Sequence, residues 1–285
     1  MKTKTILFVL TVGLGLSFSG GVLAQAPKVE FPAASPACTI KQHVGLTDIE
    51  VTYSRPSAKG RKVFGNVVPF GSVWRTGANN ATKITCSTAL KLNGTDIAAG
   101  TYALYTIPGE SEWTIILNKG AGKSGTQYDE KEDVVRFKTT PVNLSDTSIE
   151  TFTIEFNHLR DESAVLNLVW EKTVVPIKVE LDVTSRLLPQ IDAAMAAEGG
   201  NKPYYQAAMF YYDHGQDLAK AKDWVEAAIT QREAYYIVHL KAKILAKLGD
   251  KEGALAAANR SMELAKTGKD SAYVKLNEDL IASLK

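Results

Sequence analysis

Hydrophobic and polar residues alternate along most of the chain between Thr39 and Val183. Phe152, Ile154 and Phe156, for example, are each separated by one polar residue, and residues 177–183 repeat the pattern. A period of two is typical of β-strands, because successive side chains point to opposite faces of a sheet. About ten such stretches are separated by turn residues, with no helical period among them. The pattern predicts an antiparallel β-sandwich or a jelly-roll-like barrel over residues 38–184.

One turn in this region can be assigned in more detail. Asn93-Gly94 lies between Leu90–Leu92 and Ile97. Asn-Gly is typical of short hairpin turns, because glycine adopts a positive φ without steric cost. We therefore predict a hairpin here, with Gly94 at positive φ.

From about Ser185 the hydrophobic period changes to 3.6, which is typical of helices. A first helix is predicted to end at Gly199-Gly200, and two similar units follow Pro203. In these units small residues recur 33 or 34 positions apart: Ala208 and Ala242, Gly215 and Gly249, Ala221 and Ala254, Ala228 and Ser261. This spacing resembles the tetratricopeptide repeat, in which small residues let two helices pack closely.

The predicted fold class is therefore α+β and multidomain: a β-sandwich followed by a tetratricopeptide-like helical hairpin repeat over residues 185–285. A last helix, Ser271 to Leu284, would cap the stack. Two repeats are fewer than a free-standing solenoid needs, so we expect the helices to lean on the β-domain. An unrelated helical bundle is the alternative.

The N-terminus has the three parts of a secretory signal peptide. Lys2 and Lys4 precede an apolar run from Ile6 to Leu16, and small residues follow up to Ala24. We predict a signal peptide over residues 1–24 with cleavage after Ala24, a flexible leader over 25–37, and a periplasmic or secreted protein. An uncleaved anchor is the alternative, although the apolar run is shorter than the roughly 20 residues that span a bilayer.

Charge narrows the classes of partner. Removal of Lys2 and Lys4 takes the formal charge from +2 to 0. A neutral chain has no strong overall field for nucleic acid or an anionic membrane, so we expect neither as a partner. We also expect no membrane span after the signal peptide is removed.

Two cysteines, Cys38 and Cys86, are the candidates for a disulfide, since exported proteins fold in an oxidising environment. Two unpaired, inert thiols are the alternative. The four histidines show no spacing typical of a metal site, which needs about four ligands. No motif for a nucleotide or other cofactor occurs, so we expect no metal and no cofactor.

The segment from Tyr53 to Thr82 concentrates arginine, aromatic and turn residues. Guanidinium groups held by turns can bind carboxylates or phosphates with paired hydrogen bonds. The candidate ligand-binding residues are Tyr53, Arg55, Arg61, Trp74, Arg75 and Asn79, with Arg136 as a further arginine. The alternative is internal: Arg55 and Arg75 would satisfy Asp129, Asp133 or Glu171 and buried carbonyls, and so fix the long connection.

Several short sequence motifs in and after this segment resemble those of a known protein family. Thr52 to Pro56, Val73 to Asn79, Ala99 to Tyr102 and Asp133 to Arg136 are similar to a family catalogued as domain of unknown function 2911, over about residues 35–180. The resemblance implies an exported bacterial protein, often with helical repeats after the β-domain. It implies no established activity and no catalytic residue.

Three functions are left open. The leading hypothesis is a non-catalytic exported protein whose β-domain binds an anionic small molecule or glycan, while the helical repeats bind a protein. The second is a glycan or cell-wall hydrolase, for which Asp129 with Asp133 or Glu171 would supply the carboxylate pair. The third is an envelope assembly factor without a small-molecule ligand.

Overall fold

The computed structural model describes residues 30–285. The predicted signal peptide, its cleavage site and the first part of the leader lie outside the described residues. Residues 37–180 form two antiparallel β-sheets, and six helices follow them. The α+β fold class that the hydrophobic pattern predicts is confirmed.

The first sheet has six strands: β1 (Ala37–Val44), β2 (Thr47–Ser54), β3 (Thr82–Cys86), β6 (Gly100–Ile107), β7 (Trp113–Asn118) and β8 (Asp133–Thr139). Their order across the sheet is β1-β2-β3-β6-β7-β8. Every neighbouring pair is antiparallel. The long connection between β2 and β3 contains the arginine-rich segment.

The second sheet contains β4 (Leu90–Leu92), β5 (Thr95–Ile97), β9 (Val142–Asn143), β10 (Ile149–Arg160), β11 (Ser163–Glu171) and β12 (Thr173–Glu180). Its main order is β10-β11-β12-β4-β5, and the short β9 also pairs with β12. The predicted hairpin joins β4 to β5, with φ of 46° at Asn93 and 79° at Gly94. That prediction is confirmed.

The two sheets face each other across one hydrophobic core. Val51 and Ile115 of the first sheet and Leu166 and Ile177 of the second belong to the same buried cluster. Their neighbours along each strand are more exposed or face the other side, as the alternation predicts. Burial of apolar surface between the sheets is the main stabilising contribution to such a sandwich.

The helices are α1 (Thr184–Ala196), α2 (Tyr204–Asp213), α3 (Leu218–Gln231), α4 (Tyr235–Lys247), α5 (Lys251–Thr267) and α6 (Ser271–Ser283). Gly215 and Gly249 follow α2 and α4 with φ of 64° and 85°, a conformation that ends a helix and favours glycine. Asp217 and Asp250 then cap α3 and α5 by accepting backbone N–H groups. Within residues 30–285, none of these helices combines the length and apolar character needed to cross a bilayer.

Small residues form the interior of the helical region. Ala208 and Ala221 lie between α2 and α3, and Ala242, Ala254 and Ala258 lie between α4 and α5, all with no exposed surface. Because alanine has only a methyl group, the helix backbones can approach closely. The two pairs therefore form successive helical hairpins, with α6 packed against α5.

The helical region leans on one end of the β-sandwich. Leu187 of α1 and Phe210 of α2 pack against the sandwich core. At the same junction Gly45, with φ of 54°, leaves no room for a side chain beside the carbonyl of Asp161 and the side chain of Val183. The expectation that the helices rest on the β-domain is confirmed.

Candidate functional site

The arginine-rich segment begins by pairing with the edge of the second sheet. The backbone N–H of Ala58 donates to the carbonyl of Glu150 (2.8 Å), and that of Phe152 donates to the carbonyl of Pro56 (2.8 Å). A bridge between Ser57 and Thr151 lies between these two bonds. Residues 56–58 thus behave as an extra short strand beside β10, which fastens the first sheet to the second.

Tyr53 and Trp74 are candidate ligand-binding residues, but the structure buries both side chains, which contradicts that role. Tyr53 is buried, and its hydroxyl bonds to both the N–H (2.9 Å) and the carbonyl of Ile154 (3.4 Å). Trp74 is also buried, 5.1 Å from Phe152 and 5.9 Å from Trp170 between ring centroids. Both aromatic residues belong to the core, because the strand positions they occupy face the second sheet.

Arg55 and Arg61 bond to the protein itself. Arg55 donates from Nε to the carbonyl of Phe152 (3.0 Å) and from Nη2 to Oγ1 of Thr153 (2.7 Å). Arg61 donates to the carbonyls of Ala58 and Ser57, both at 2.9 Å. These bonds agree with an internal role for the two arginines, and their partners are backbone carbonyls and a hydroxyl, without the carboxylates that the same alternative also named.

Arg75 and Asn79 lie next to each other, and both residues are at least partly exposed to solvent. Nη1 of Arg75 donates to the carbonyl of Asn79 at 3.4 Å, and Asn79 is exposed with φ of 59°. The amide of Asn79 donates to Oγ of Ser54 at 3.2 Å. Arg75 forms no ion pair within residues 30–285. Arg55, Arg61 and Arg75 all lack a carboxylate partner in the described residues, but Arg75 differs in having a single, long hydrogen bond where the other two have two each.

The carboxylates that a hydrolase would need have other roles. Glu171 accepts the backbone N–H of Val63 (2.8 Å), and Asp129 accepts that of Lys131 (3.0 Å). Asp133 accepts from Tyr128 (2.8 Å) and from Nε of Arg136 (2.6 Å). Each carboxylate already has donors in the protein, and this arrangement gives no support to a facing catalytic pair.

The candidate disulfide between Cys38 and Cys86 is contradicted, because both cysteines are free thiols. Cys38 lies on β1 and Cys86 on β3, with β2 between them. Neighbouring strands are about 4.8 Å apart, so two strand spacings already exceed the Cα separation of a disulfide. Burial raises the pKa of the Cys86 thiol to about 11, which makes it unreactive at neutral pH.

A crevice lies at the junction of the β-domain with the helices. It has a volume of about 460 Å³ and is lined by residues that include Leu46, Leu159, Leu187 and Phe210. Its wall is mainly apolar and includes none of the predicted arginines. The predicted segment therefore does not line this cavity.

A second surface, which the sequence analysis did not single out, lies on the helical region. Helices α2, α4 and α6 lie side by side, with ring centroids 5.1 Å apart for Tyr205 and Tyr236 and 4.9 Å apart for Tyr235 and Tyr273. All four rings are half-buried. The hydroxyls of Tyr205, Tyr236 and Tyr273 form no hydrogen bond inside the described part of the chain. Their polar ends are available to a partner.

Two lysines of α4 add positive charge beside a further tyrosine ring, that of Tyr212 on α2. Nζ of Lys243 lies 4.5 Å from the ring centroid of Tyr212, and Nζ of Lys247 lies 4.7 Å from it. Lys241, on another side of α4, is paired with Glu226 at 3.1 Å. Lys243 and Lys247 have no such carboxylate among residues 30–285. Their charge is stabilised by an aromatic face, not neutralised.

A buried polar network determines the state of His239 on the same face. The amide of Asn277 donates to the carbonyl of Tyr273 (2.7 Å) and to Oγ of Ser261 (2.9 Å), so its oxygen faces Nδ1 of His239 (2.8 Å). Nδ1 must therefore carry the hydrogen, and Nε2 is an acceptor. Burial lowers the pKa of His239, with a further contribution from Lys243, so the ring is neutral at pH 7.

These residues form one continuous surface, which we call the tyrosine–lysine face: Tyr205, Tyr212, Tyr236, His239, Lys243, Lys247 and Tyr273. Positions 236, 239, 243 and 247 are spaced as one stripe of a helix. This spacing can be read from the sequence alone. It identifies a stripe of α4, whereas its alignment with Tyr212 and Tyr273 depends on how the helices pack.

The described residues thus define a two-part protein, a β-sandwich followed by helical hairpins with an exposed polar and aromatic face. The chain belongs to the family described as Protein of unknown function (DUF2911), whose model matches residues 35–179. The match covers the β-sandwich and confirms that part of the resemblance. Comparisons with curated proteins and with solved structures find no match.

Proposed function

We propose that this is an exported, non-catalytic binding protein. Its helical region holds a protein partner, and its β-sandwich binds a small anionic ligand or glycan. The observation that carries the proposal is the tyrosine–lysine face, where half-buried rings, unpaired hydroxyls and two uncompensated lysines are presented together. Aromatic and basic side chains of this kind are enriched at protein interfaces.

The arrangement of the helices supports a tetratricopeptide-like assignment. The hairpins α2–α3 and α4–α5 follow each other with the 33- to 34-residue spacing, and alanines fill both interiors. In stacked hairpins of this kind the first helices of successive pairs line one surface. That surface here is the tyrosine–lysine face, which makes it the expected position of the partner.

Export is part of the proposal and rests on residues 1–24 of the sequence. Cleavage after Ala24 would leave Gln25 as the first residue, in the periplasm or outside the cell. Mass spectrometry of the mature N-terminus tests this directly. A mature chain that retains Met1 would contradict export by this route.

The partner is tested by site-specific photo-cross-linking in cells that export the protein. A benzophenone amino acid replaces Tyr236 or Lys243 on the face, and Glu252 on the exposed side of α5 serves as the matched control. We expect the same cross-linked product from both positions on the face and none from position 252. Charge reversal of Lys243 and Lys247 to Glu should abolish the product, whereas Lys251→Glu should leave it.

Cross-linking that is equal from position 252, or unaffected by the double charge reversal, would contradict a partner on this face. Circular dichroism of each variant shows whether the helices are retained. Because the substituted side chains lie on the surface, we expect their stability to change by no more than about 0.5 kcal/mol each.

An envelope assembly factor without a small ligand is the second candidate. The internal bonds of Arg55 and Arg61 favour it, since these arginines hold the β2–β3 connection in place and do not line a cleft. Both candidates use the tyrosine–lysine face. They differ in whether the β-sandwich binds a small molecule, which a ligand-binding test can decide.

A further inference from the structure

We propose that Arg75 and Tyr105 form a binding site for a small oxyanion, a carboxylate or phosphate group, on the outer face of the first sheet. The proposal rests on the ligand-binding role suggested for the β-sandwich and gives it a location and a chemical class. The two residues come from the β2–β3 connection and from β6.

The backbone places the two side chains next to each other. Trp74 and Thr106 exchange both backbone hydrogen bonds, at 2.7 and 2.9 Å. This bridge is isolated, and the next positions along the two antiparallel segments are Arg75 and Tyr105. Residues directly opposite each other in antiparallel strands have Cβ atoms about 4.5–5.5 Å apart. Because Trp74 points into the sandwich core, Arg75 and Tyr105 point to the outer face.

Tyr105 has a polar group that the protein does not satisfy. The residue is 1% exposed and packs with Ala103 and Ile116 in a small cluster on the outer face. Its hydroxyl forms no hydrogen bond within residues 30–285, and every fully buried side-chain N or O atom in that range has a partner. The hydroxyl is therefore not fully buried, and it belongs to the small part of Tyr105 that reaches solvent.

The charged groups near Arg75 pair with one another and leave it without a counter-ion among residues 30–285. Lys123 is held by Glu132 at 2.6 Å, and Arg136 is held by Asp133 at 2.6 Å. The two carboxylates nearest the site are thus already neutralised. A guanidinium with no carboxylate partner, beside a hydroxyl with no partner, is complementary to an incoming oxyanion.

The loop over the site is shaped around Arg75. A side chain at Gly125 would collide with Cδ of Arg75 and would lie 2.9 Å from the carbonyl of Asn79. Asn80 and Ser124 form an isolated antiparallel bridge between the same two loops. The loop at Gly125 therefore packs against both the aliphatic part and one edge of the guanidinium of Arg75, which fixes the position of this side chain.

The test measures the melting temperature of the full mature chain with sodium acetate, glucuronate or phosphate, against chloride at the same ionic strength. We expect a concentration-dependent rise with at least one oxyanion. Arg75→Gln and Tyr105→Phe should each weaken the apparent affinity by about tenfold or more, the change expected for one lost hydrogen bond to a charged group. Arg61→Gln, in the same segment, should retain the wild-type response.

Tyr105→Phe keeps the ring and removes only the unsatisfied hydroxyl, so it should fold normally even if an Arg75 variant does not. A rise with acetate and glucuronate alone identifies a carboxylate ligand, and one with phosphate alone a phosphate ligand. No rise beyond chloride would overturn the site and favour the assembly factor. A rise that persists in both variants would place the ligand elsewhere in the β-sandwich, which overturns this site and leaves the proposed function intact.

Discussion

The β-sandwich and the helical region use aromatic residues in opposite ways. In the sandwich, large rings fill the interior: Phe64, Trp74, Trp113, Phe152 and Trp170 contact one another between the sheets. In the helical region alanines lie between paired helices and half-buried tyrosines lie on the tyrosine–lysine face, although Tyr211 is buried against Trp224. The spacing between the packed elements explains the difference.

Two sheets pack about 10 Å apart, which leaves room for large side chains between them. Paired helices with small interfacial residues approach more closely, which leaves less room for large rings between them. The large rings of the sandwich core are therefore structural, whereas those of the tyrosine–lysine face keep exposed surface. This comparison can be tested by substitutions matched between the two regions.

The largest effect is expected for Trp74→Ala. Removal of this ring leaves a cavity in the sandwich core and should lower the free energy of unfolding by about 3–5 kcal/mol. Tyr212→Ala, on the tyrosine–lysine face, should cost less than about 1 kcal/mol, because the ring is only half-buried. Urea unfolding measures both. Similar losses in the two variants would remove the distinction between the regions.

Overpacking should show that the helical interior requires small residues. Ala242→Leu inserts three carbon atoms between α4 and α5 and should destabilise the protein by about 1–3 kcal/mol. Ala256→Leu, at an exposed position of α5, is the control and should be nearly neutral. Thermal unfolding followed by circular dichroism at 222 nm reports on the helices. An unaffected Ala242→Leu variant would show that α4 and α5 are packed more loosely.

The arginines of the predicted segment should separate by role. Arg55→Ala loses bonds to Phe152 and Thr153 and should cost about 1–2 kcal/mol. Arg75→Ala should stay within about 0.5 kcal/mol of wild type, since Arg75 has no ion pair in the described residues. Parallel thermal melts compare the two variants. A large loss for Arg75→Ala would mean that Arg75 is structural.

The smallest effect is expected from the titration of His239. Burial lowers the pKa of His239 in the folded protein, so below its ordinary value of about 6.5 the unfolded chain binds more protons. Stability from the neutral ring is present above that pH and is lost as the pH falls toward the folded pKa. Urea unfolding at pH 8 and at pH 5.5 should show a smaller decrease for His239→Gln than for wild type. Identical decreases would contradict the assignment.

The sequence by itself determined the elements and the order in which they occur. Alternation at Phe152 and Ile154 identified their inward-facing side chains, and Asn93-Gly94 identified a hairpin. The 33- to 34-residue spacing of alanine and glycine identified the two helical pairs and their ends. These predictions succeeded because backbone preference and the side of a strand or helix that a residue occupies are local properties.

Tertiary structure decided what each side chain contacts. The sequence marked the segment from Tyr53 to Thr82 by its unusual composition, and this segment is the connection between β2 and β3. Only the structure shows that Tyr53 and Trp74 are core residues and that Arg55 bonds to β10. Arg75 acquired Tyr105 as its neighbour only because Trp74 pairs with Thr106, about 30 positions away along the chain. A local pattern records which side a residue faces, whereas the packing of distant segments determines what lies opposite it.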